Sequence, residues 1–136
     1  ANHIANDFLY GVSSKLKIGL NVESLAANVA VITCLANDIG YHNIYSEQLK
    51  SKAKKGDILI ALSGSGNSKN IINAINTGNK LKMKTFAILG YNGGKAKKIV
   101  NYPIHCSVND MQVSEDMQMI YLNYCLKELW KLKKNN

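Results

Sequence analysis

Hydroxyl groups and unencumbered backbone are most concentrated at Ser63-Gly64-Ser65-Gly66-Asn67-Ser68, between the apolar run DILIAL and the amphipathic run KNIINAI. Three chemical features meet there. Gly64 and Gly66 allow backbone amides to turn toward one point, Ser63, Ser65 and Ser68 add hydroxyl donors, and a helix that starts at Ser68 presents its positive end. Together these suit the oxygens of a phosphate group. The same composition also fits a tight strand-to-helix loop in which Ser68 is a simple N-cap. The segment is not a Walker loop, which needs lysine followed by serine or threonine, nor the dinucleotide fingerprint, whose glycines are spaced differently.

For such a cradle to face a ligand, a strand must deliver it and a helix must follow it. DILIAL (57–62) is continuously apolar, as expected for a central parallel strand covered on both faces. A helix from Ser68 to about Lys80 is expected to bury Ile71, Ile72 and Ile75. KTFAIL (84–89) reads as the next central strand and GYNGG as a glycine turn. NYPIHC (101–106) reads as a strand whose Pro103 places it at a sheet edge. Upstream, VESLA (22–26) is a strand candidate, and Asn28 can cap a helix running through Val29, Ile32 and Leu35 to the turn NDIG. A second helix spans roughly 43–55 and ends at Gly56. Before Gly11, His3, Ile4, Asp7 and Phe8 recur at helical spacing, and 13–21 reads as loop. The last helix, about 111–133, shows Val113, Met117, Ile120 and Tyr124 on one face. Strands alternating with helices predict one α/β domain, a three-layer, doubly wound parallel sheet of flavodoxin- or Rossmann-like type. In such sheets ligands bind beyond the carboxyl ends of strands, which is where the serine–glycine segment falls.

The chain has 136 residues, enough for one core without metal or disulfide staples. Cys34, Cys106 and Cys125 are scattered and odd in number, which suggests neither a disulfide framework nor a paired-cysteine zinc site. No apolar stretch approaches the roughly 20 residues needed to span a bilayer and no cationic leader opens the sequence, so the reading is cytoplasmic, without a membrane partner. The net charge is +8, yet all 17 basic residues are lysine. Arginine, which reads guanine edges bidentately, is absent. Many lysines sit where helices should end, at Lys50, Lys52, Lys54 and Lys55 and again at Lys131, Lys133 and Lys134, where cations meet the negative dipole end. The field favours a small anionic ligand over nucleic acid.

The run GDILIALSGSGNSKNIINAI, followed by an α/β unit and GYNGGKAKKI, resembles the sugar isomerase (SIS) domain, and within it the phosphoheptose isomerases. LANDIGYHNIYSEQL and ANHIANDF are similar to further stretches of that family. The resemblance implies aldose–ketose isomerisation of a sugar phosphate, sedoheptulose 7-phosphate, for surface-polysaccharide or lipopolysaccharide heptose synthesis. It implies substrate binding by Ser63, Gly64, Ser65 and Ser68, with Gly64 standing where the family has threonine, and by Asn37 and Asp38. Asn37 and Asp38 can equally be a plain helix-terminating turn.

In the resembling isomerases a glutamate on the first helix and a histidine on the last form the acid–base pair. Asp7 stands at the glutamate position and Asn123 at the histidine position. An amide cannot exchange protons near neutral pH, which favours the alternative of a noncatalytic sugar-phosphate sensor or interaction module. Some members hold zinc between these helices. By resemblance His3, Asp7 and Glu115 are the remaining ligands here, with Glu115 two turns before Asn123 and His3 four residues before Asp7 on one helix face. Histidine with two carboxylates could take zinc or another divalent ion. His3 and Asp7 could instead be a half-buried histidine and a solvated carboxylate, and Glu115 could be the surviving proton carrier.

The family's earlier glycine-rich loop and first strand would precede Ala1, so the expectation is a truncated SIS domain whose whole gene product starts some fifty residues earlier. The resemblance also implies homotetramers with sites between subunits. The last helix, with Met117, Met119, Ile120, Tyr121, Tyr124 and Trp130, carries more apolar surface than one face requires.

Overall fold

The computed structural model describes residues 1–11 and 19–134. Three strands, β1 (Ile58–Ser63), β2 (Lys84–Leu89) and β3 (Tyr102–His105), form one parallel sheet in the order β1-β2-β3. Register runs Ile58 to Lys84 through Ser63 to Leu89, and Phe86 to Tyr102 through Leu89 to His105. The helices are α1 (Asn2–Asn6, continuing as a π-helical turn over Asp7–Gly11), α2 (Val29–Ile39), α3 (Ile44–Lys52), α4 (Lys69–Lys80), α5 (Ala96–Ile99) and α6 (Met111–Lys134).

Alternation along each strand divides the sheet into two apolar faces. Ala61, Ala87 and Leu89 point to one, where Ile75 of α4, Ala96 of α5 and Val100 close a core. Ile88, with half-buried Leu62 and Ile104, points to the other, covered by Ile4 and Phe8 of the first helix and Leu122 of α6. This is the expected three-layer α/β arrangement. Leu49 of α3 packs with Ala74 and Met83 at the far end of α4.

Several local expectations hold because their chemistry is local. Asn28 accepts from the Val31 amide at 3.1 Å and starts α2, which ends at Gly40, where φ is +85°. KTFAIL is a strand with the anticipated limits, and Pro103 lies on edge strand β3, where no ladder donor is needed.

Others need correction. VESLA forms no strand: Ala27 donates to the Ser24 carbonyl at 3.0 Å in a turn, and Ser24 Oγ bonds Asn2 Oδ1 at 2.6 Å. The second helix is shorter than 43–55, because a 3-10 turn over Tyr41–Asn43 precedes it and Ala53 is already extended. Of the loop expected over 13–21, residues 19–21 have no regular structure and the rest lies outside the described residues. Among the described residues β1 is an edge strand rather than a central one, with Ile58 61% and Ile60 43% exposed. Ile75 is buried in α4 as expected, while Ile71 and Ile72 are only half-buried. In α6 the buried positions are Ser114, Gln118 and Leu122; the face of Val113, Ile120 and Tyr124 stays exposed and Met117 is half-buried.

Candidate functional site

At the carboxyl end of β1 the chain enters the serine–glycine loop, which with the start of α4 forms one wall of a pocket of about 300 Å³. Ser63, Gly64, Ser65 and Ser68 line it, together with Tyr45 of α3, Asn70 of α4, and Met111 and Glu115 of α6. The pocket thus opens beyond the carboxyl end of a strand, where the open-sheet rule places ligands.

Within the loop the amides and hydroxyls divide their roles. The Gly66 N–H donates to Ser63 Oγ at 3.1 Å and the Asn67 N–H to Ser65 Oγ at 3.2 Å. These two amides hold the loop together and do not point at a ligand, which corrects the expectation that Gly66 contributes a donor. Each serine hydroxyl thus accepts from the loop and keeps its own proton to donate. Ser68 occupies the N-cap position of α4, yet its side chain makes no cap hydrogen bond, so the reading of Ser68 as a simple cap fails. Ser68 lines the pocket at the first turn of this 12-residue helix, its hydroxyl not engaged in a cap. That positive end and the donor hydroxyls suit an anion.

Gly66 is required for a different reason. It has φ +65°, and a β-carbon there would run into the carbonyl oxygen of Gly93 in the turn after β2. The two glycine-rich segments lie backbone on backbone: Gly90 N–H donates to Gly64 O at 2.9 Å, Ala96 N–H to Gly66 O at 2.9 Å, and Lys95 N–H to Asn67 Oδ1 at 3.1 Å. A β-carbon on Gly64 would meet the Met111 side chain, which fills the room that the resembling threonine would take.

Tyr45 and Met111 are pocket residues that the sequence does not single out, although Tyr45 falls within LANDIGYHNIYSEQL. Tyr45 arrives from α3, and burial raises its phenol above the usual tyrosine range, with Tyr41 adding to the rise, so it stays a protonated donor at neutral pH. Met111 arrives from the first turn of α6. Neither could be found from local pattern, since each element reaches the site only through tertiary packing.

The remaining candidates are distributed more widely. Glu115 lines the serine pocket. Asn123 lies eight residues further along α6, about 12 Å up the axis, and is exposed. Asn37 and Asp38 sit exposed at the end of α2 and do not line the pocket. Asn37 donates to Asp38 Oδ1 at 2.9 Å, and Asp38 accepts from Cys34, whose thiol it pushes up by that hydrogen bond and by its charge. His3 Nε2 lies 3.2 Å from Asp7 Oδ2 on the first helix, with the histidine side chain 67% exposed and the aspartate 23%. The residues suggested for a metal do not gather in this chain: His3 and Asp7 pair with each other, Glu115 belongs to the serine pocket, and among the described residues no three His, Cys, Asp or Glu are grouped to share an ion.

A parallel sheet with helices on both faces and a serine–glycine loop at a strand's carboxyl end defines an open-sheet α/β domain. The SIS domain family model matches residues 1–90, and the chain belongs to that family. It is 32% identical over 123 residues to a phosphoheptose isomerase of Helicobacter pylori, with 90% of this chain and 64% of the relative's length covered. It is 35% identical over 107 residues to one from Clostridium acetobutylicum, covering 76% of this chain and 53% of that protein. The chain therefore spans less than two thirds of these relatives. The fold matches a phosphoheptose isomerase of Francisella tularensis with a TM-score of 0.87 at 24% identity, over 96% of this chain and 69% of that one. A phosphoheptose isomerase of Neisseria gonorrhoeae matches with a TM-score of 0.80 at 22% identity, over 100% of this chain and 70% of that one. Among the described residues no helix is long and apolar enough to cross a membrane.

Proposed function

We propose that the protein carrying this chain is a cytoplasmic aldose–ketose isomerase acting on a sugar phosphate, of the type that interconverts sedoheptulose 7-phosphate and its aldose for surface-polysaccharide synthesis. The observation that supports this most directly is the presence of the Glu115 carboxylate in the same pocket as Ser63, Ser65 and Ser68. Phosphate recognition and a proton carrier share one cavity. Relatives at 32 to 35% identity named phosphoheptose isomerase support the same reading.

The chemistry asked of the pocket is modest. Starting from the aldose, Glu115 removes the proton on C2, the C–H electrons form the C1–C2 double bond, and the carbonyl oxygen takes up a proton to give an enediol. Return of a proton to C1, with loss of the C2 hydroxyl proton, yields the ketose, and no net oxidation occurs. Tyr45, held protonated, can donate to the substrate oxygen. The serine hydroxyls and the start of α4 fix the phosphate, which converts binding energy into positioning.

Incubating the full protein with sedoheptulose 7-phosphate and following aldose formation tests this directly. Glu115→Gln is expected to abolish turnover while leaving binding of the phosphate ester intact, and unchanged turnover overturns the assignment. A second reading, a noncatalytic sugar-phosphate sensor or interaction module, is favoured by Asn123, an exposed amide that cannot trade protons. Binding by the unaltered protein without conversion identifies that case. The proposal includes a homotetramer, supported by the apolar face that α6 leaves uncovered.

A further inference from the structure

We infer that His105 is a positioning residue, which holds the turn after β2 in the shape that buttresses the serine–glycine loop. Neither motif nor resemblance singles it out. The inference rests on reading the serine pocket as the ligand site only for its effect on affinity; the mechanical part stands on geometry alone.

Tyr91 is the starting observation. It has φ +47°, in the left-handed region that non-glycine residues rarely occupy, and it stands in a turn whose other left-handed positions, Gly93 and Gly94, are glycines. A tyrosine adopts this backbone only when its surroundings impose it. Both of its peptide groups are pinned: its N–H donates to Val108 O at 2.9 Å, and its carbonyl lies 3.0 Å from Nε2 of His105, at the end of β3. A carbonyl oxygen only accepts, so Nε2 carries the proton. In the neutral ring Nδ1 is then the acceptor, and Lys97 Nζ sits 3.0 Å from it. The imidazole is thus fixed at both nitrogens, from α5 on one side and the β2 turn on the other.

What Tyr91 fixes is the support of the pocket. Its ring lies against the Gly64 position. Gly93 N–H closes the turn on Gly90 O at 2.9 Å, Gly90 N–H holds Gly64 O, and the Gly93 carbonyl is in contact with Gly66. If Tyr91 relaxes to negative φ, the turn must shift, and the loop carrying Ser63, Ser65 and Ser68 loses the backbone against which it is set.

The test compares the unaltered full protein with His105→Phe, which keeps a ring but no donor, and His105→Gln, whose amide N–H can still reach the Tyr91 carbonyl. Amide hydrogen exchange at Gly66 and Gly90, measured without ligand, is expected to quicken by about tenfold in His105→Phe, with exchange inside β2 unchanged, and to return toward the original in His105→Gln. The dissociation constant for sedoheptulose 7-phosphate should follow the same order, rising about five- to tenfold in His105→Phe. Unchanged exchange at Gly66 and Gly90 in His105→Phe, or His105→Gln as loose as His105→Phe, overturns the inference. If His105→Phe does not fold, the pair Tyr91→Gly with His105→Phe replaces it. Glycine takes the left-handed backbone unaided, so protection at Gly66 in the pair is expected to match that in Tyr91→Gly alone, and a further loss in the pair also overturns the inference. If exchange behaves as expected but no variant, nor the unaltered protein, binds the sugar phosphate, the brace is supported and only the ligand assignment falls.

Discussion

At Gly66 one residue serves two demands, a left-handed backbone and contact with the Gly93 carbonyl. Gly66→Ala is therefore expected to cost about 2–4 kcal/mol, from backbone strain together with the displaced turn, read as a lowered denaturation midpoint with unchanged m-value. Gly64 behaves differently, because its would-be β-carbon crowds only the end of the flexible Met111 side chain and meets the Tyr91 ring at ordinary van der Waals distance. Gly64→Thr should change stability by less than about 1 kcal/mol and add a hydroxyl to the pocket wall, tightening sugar-phosphate binding in a calorimetric titration. Weaker binding would show that Met111 has no room to move. The serines of this site were legible in the sequence because their chemistry is written in a six-residue run. Tyr45, Met111 and His105 were not, because each is brought in by an element distant in sequence and has no local signature.

The elements were legible to the extent that local chemistry decides them. KTFAIL and the Asn28 cap have the expected form, since a continuous apolar run and an Asx cap need no distant partner. VESLA failed because Ser24 is bound by Asn2 and turned into a loop by a contact that no window around it contains. On α6 two stripes compete at helical spacing, and the more apolar one lost. Ser114 is buried because its hydroxyl donates to Asp110 O at 2.6 Å, beside the close approach of Gly90, and Gln118 because it reaches Ile88 O at 3.4 Å. A similar polar knot ties α4 to β2 and β3. Fully buried Thr85 bonds Asn101, whose amide N–H donates back to Thr85 Oγ1 at 3.0 Å, and Asn79 Oδ1 lies 2.8 Å from that hydroxyl. Thr85→Val keeps the shape and removes the hydroxyl, so half-buried Asn79 Oδ1 and the Asn101 N–H lose this partner, and a loss of about 1–2 kcal/mol is expected. Thermal denaturation measures it. A change within experimental error would mean that Asn79 and Asn101 find each other or water instead.

At the scale of the whole molecule, the stripe that α6 does not bury becomes the main prediction. Val113, Ile120 and Tyr124 are exposed at 43, 57 and 61%, all on the outer side of a 24-residue helix whose other face closes the core. Scattered exposed apolar residues are ordinary, but an aligned row along one helix is the pattern of a surface that meets another copy. A net charge of +8 opposes association through long-range repulsion, so any contact must rest on short-range apolar burial, which salt should strengthen rather than weaken. The full protein is therefore expected to run as a tetramer in light scattering at micromolar concentration, more firmly as ionic strength rises. Ile120→Lys adds charge at the middle of the row without touching the core, and it should dissociate the assembly while leaving the melting of the isolated subunit within about 0.5 kcal/mol of the original. An unaltered protein that is monomeric at high salt, or an Ile120→Lys variant that remains fully assembled, would remove α6 from any role in assembly and return its apolar row to the class of incidental surface.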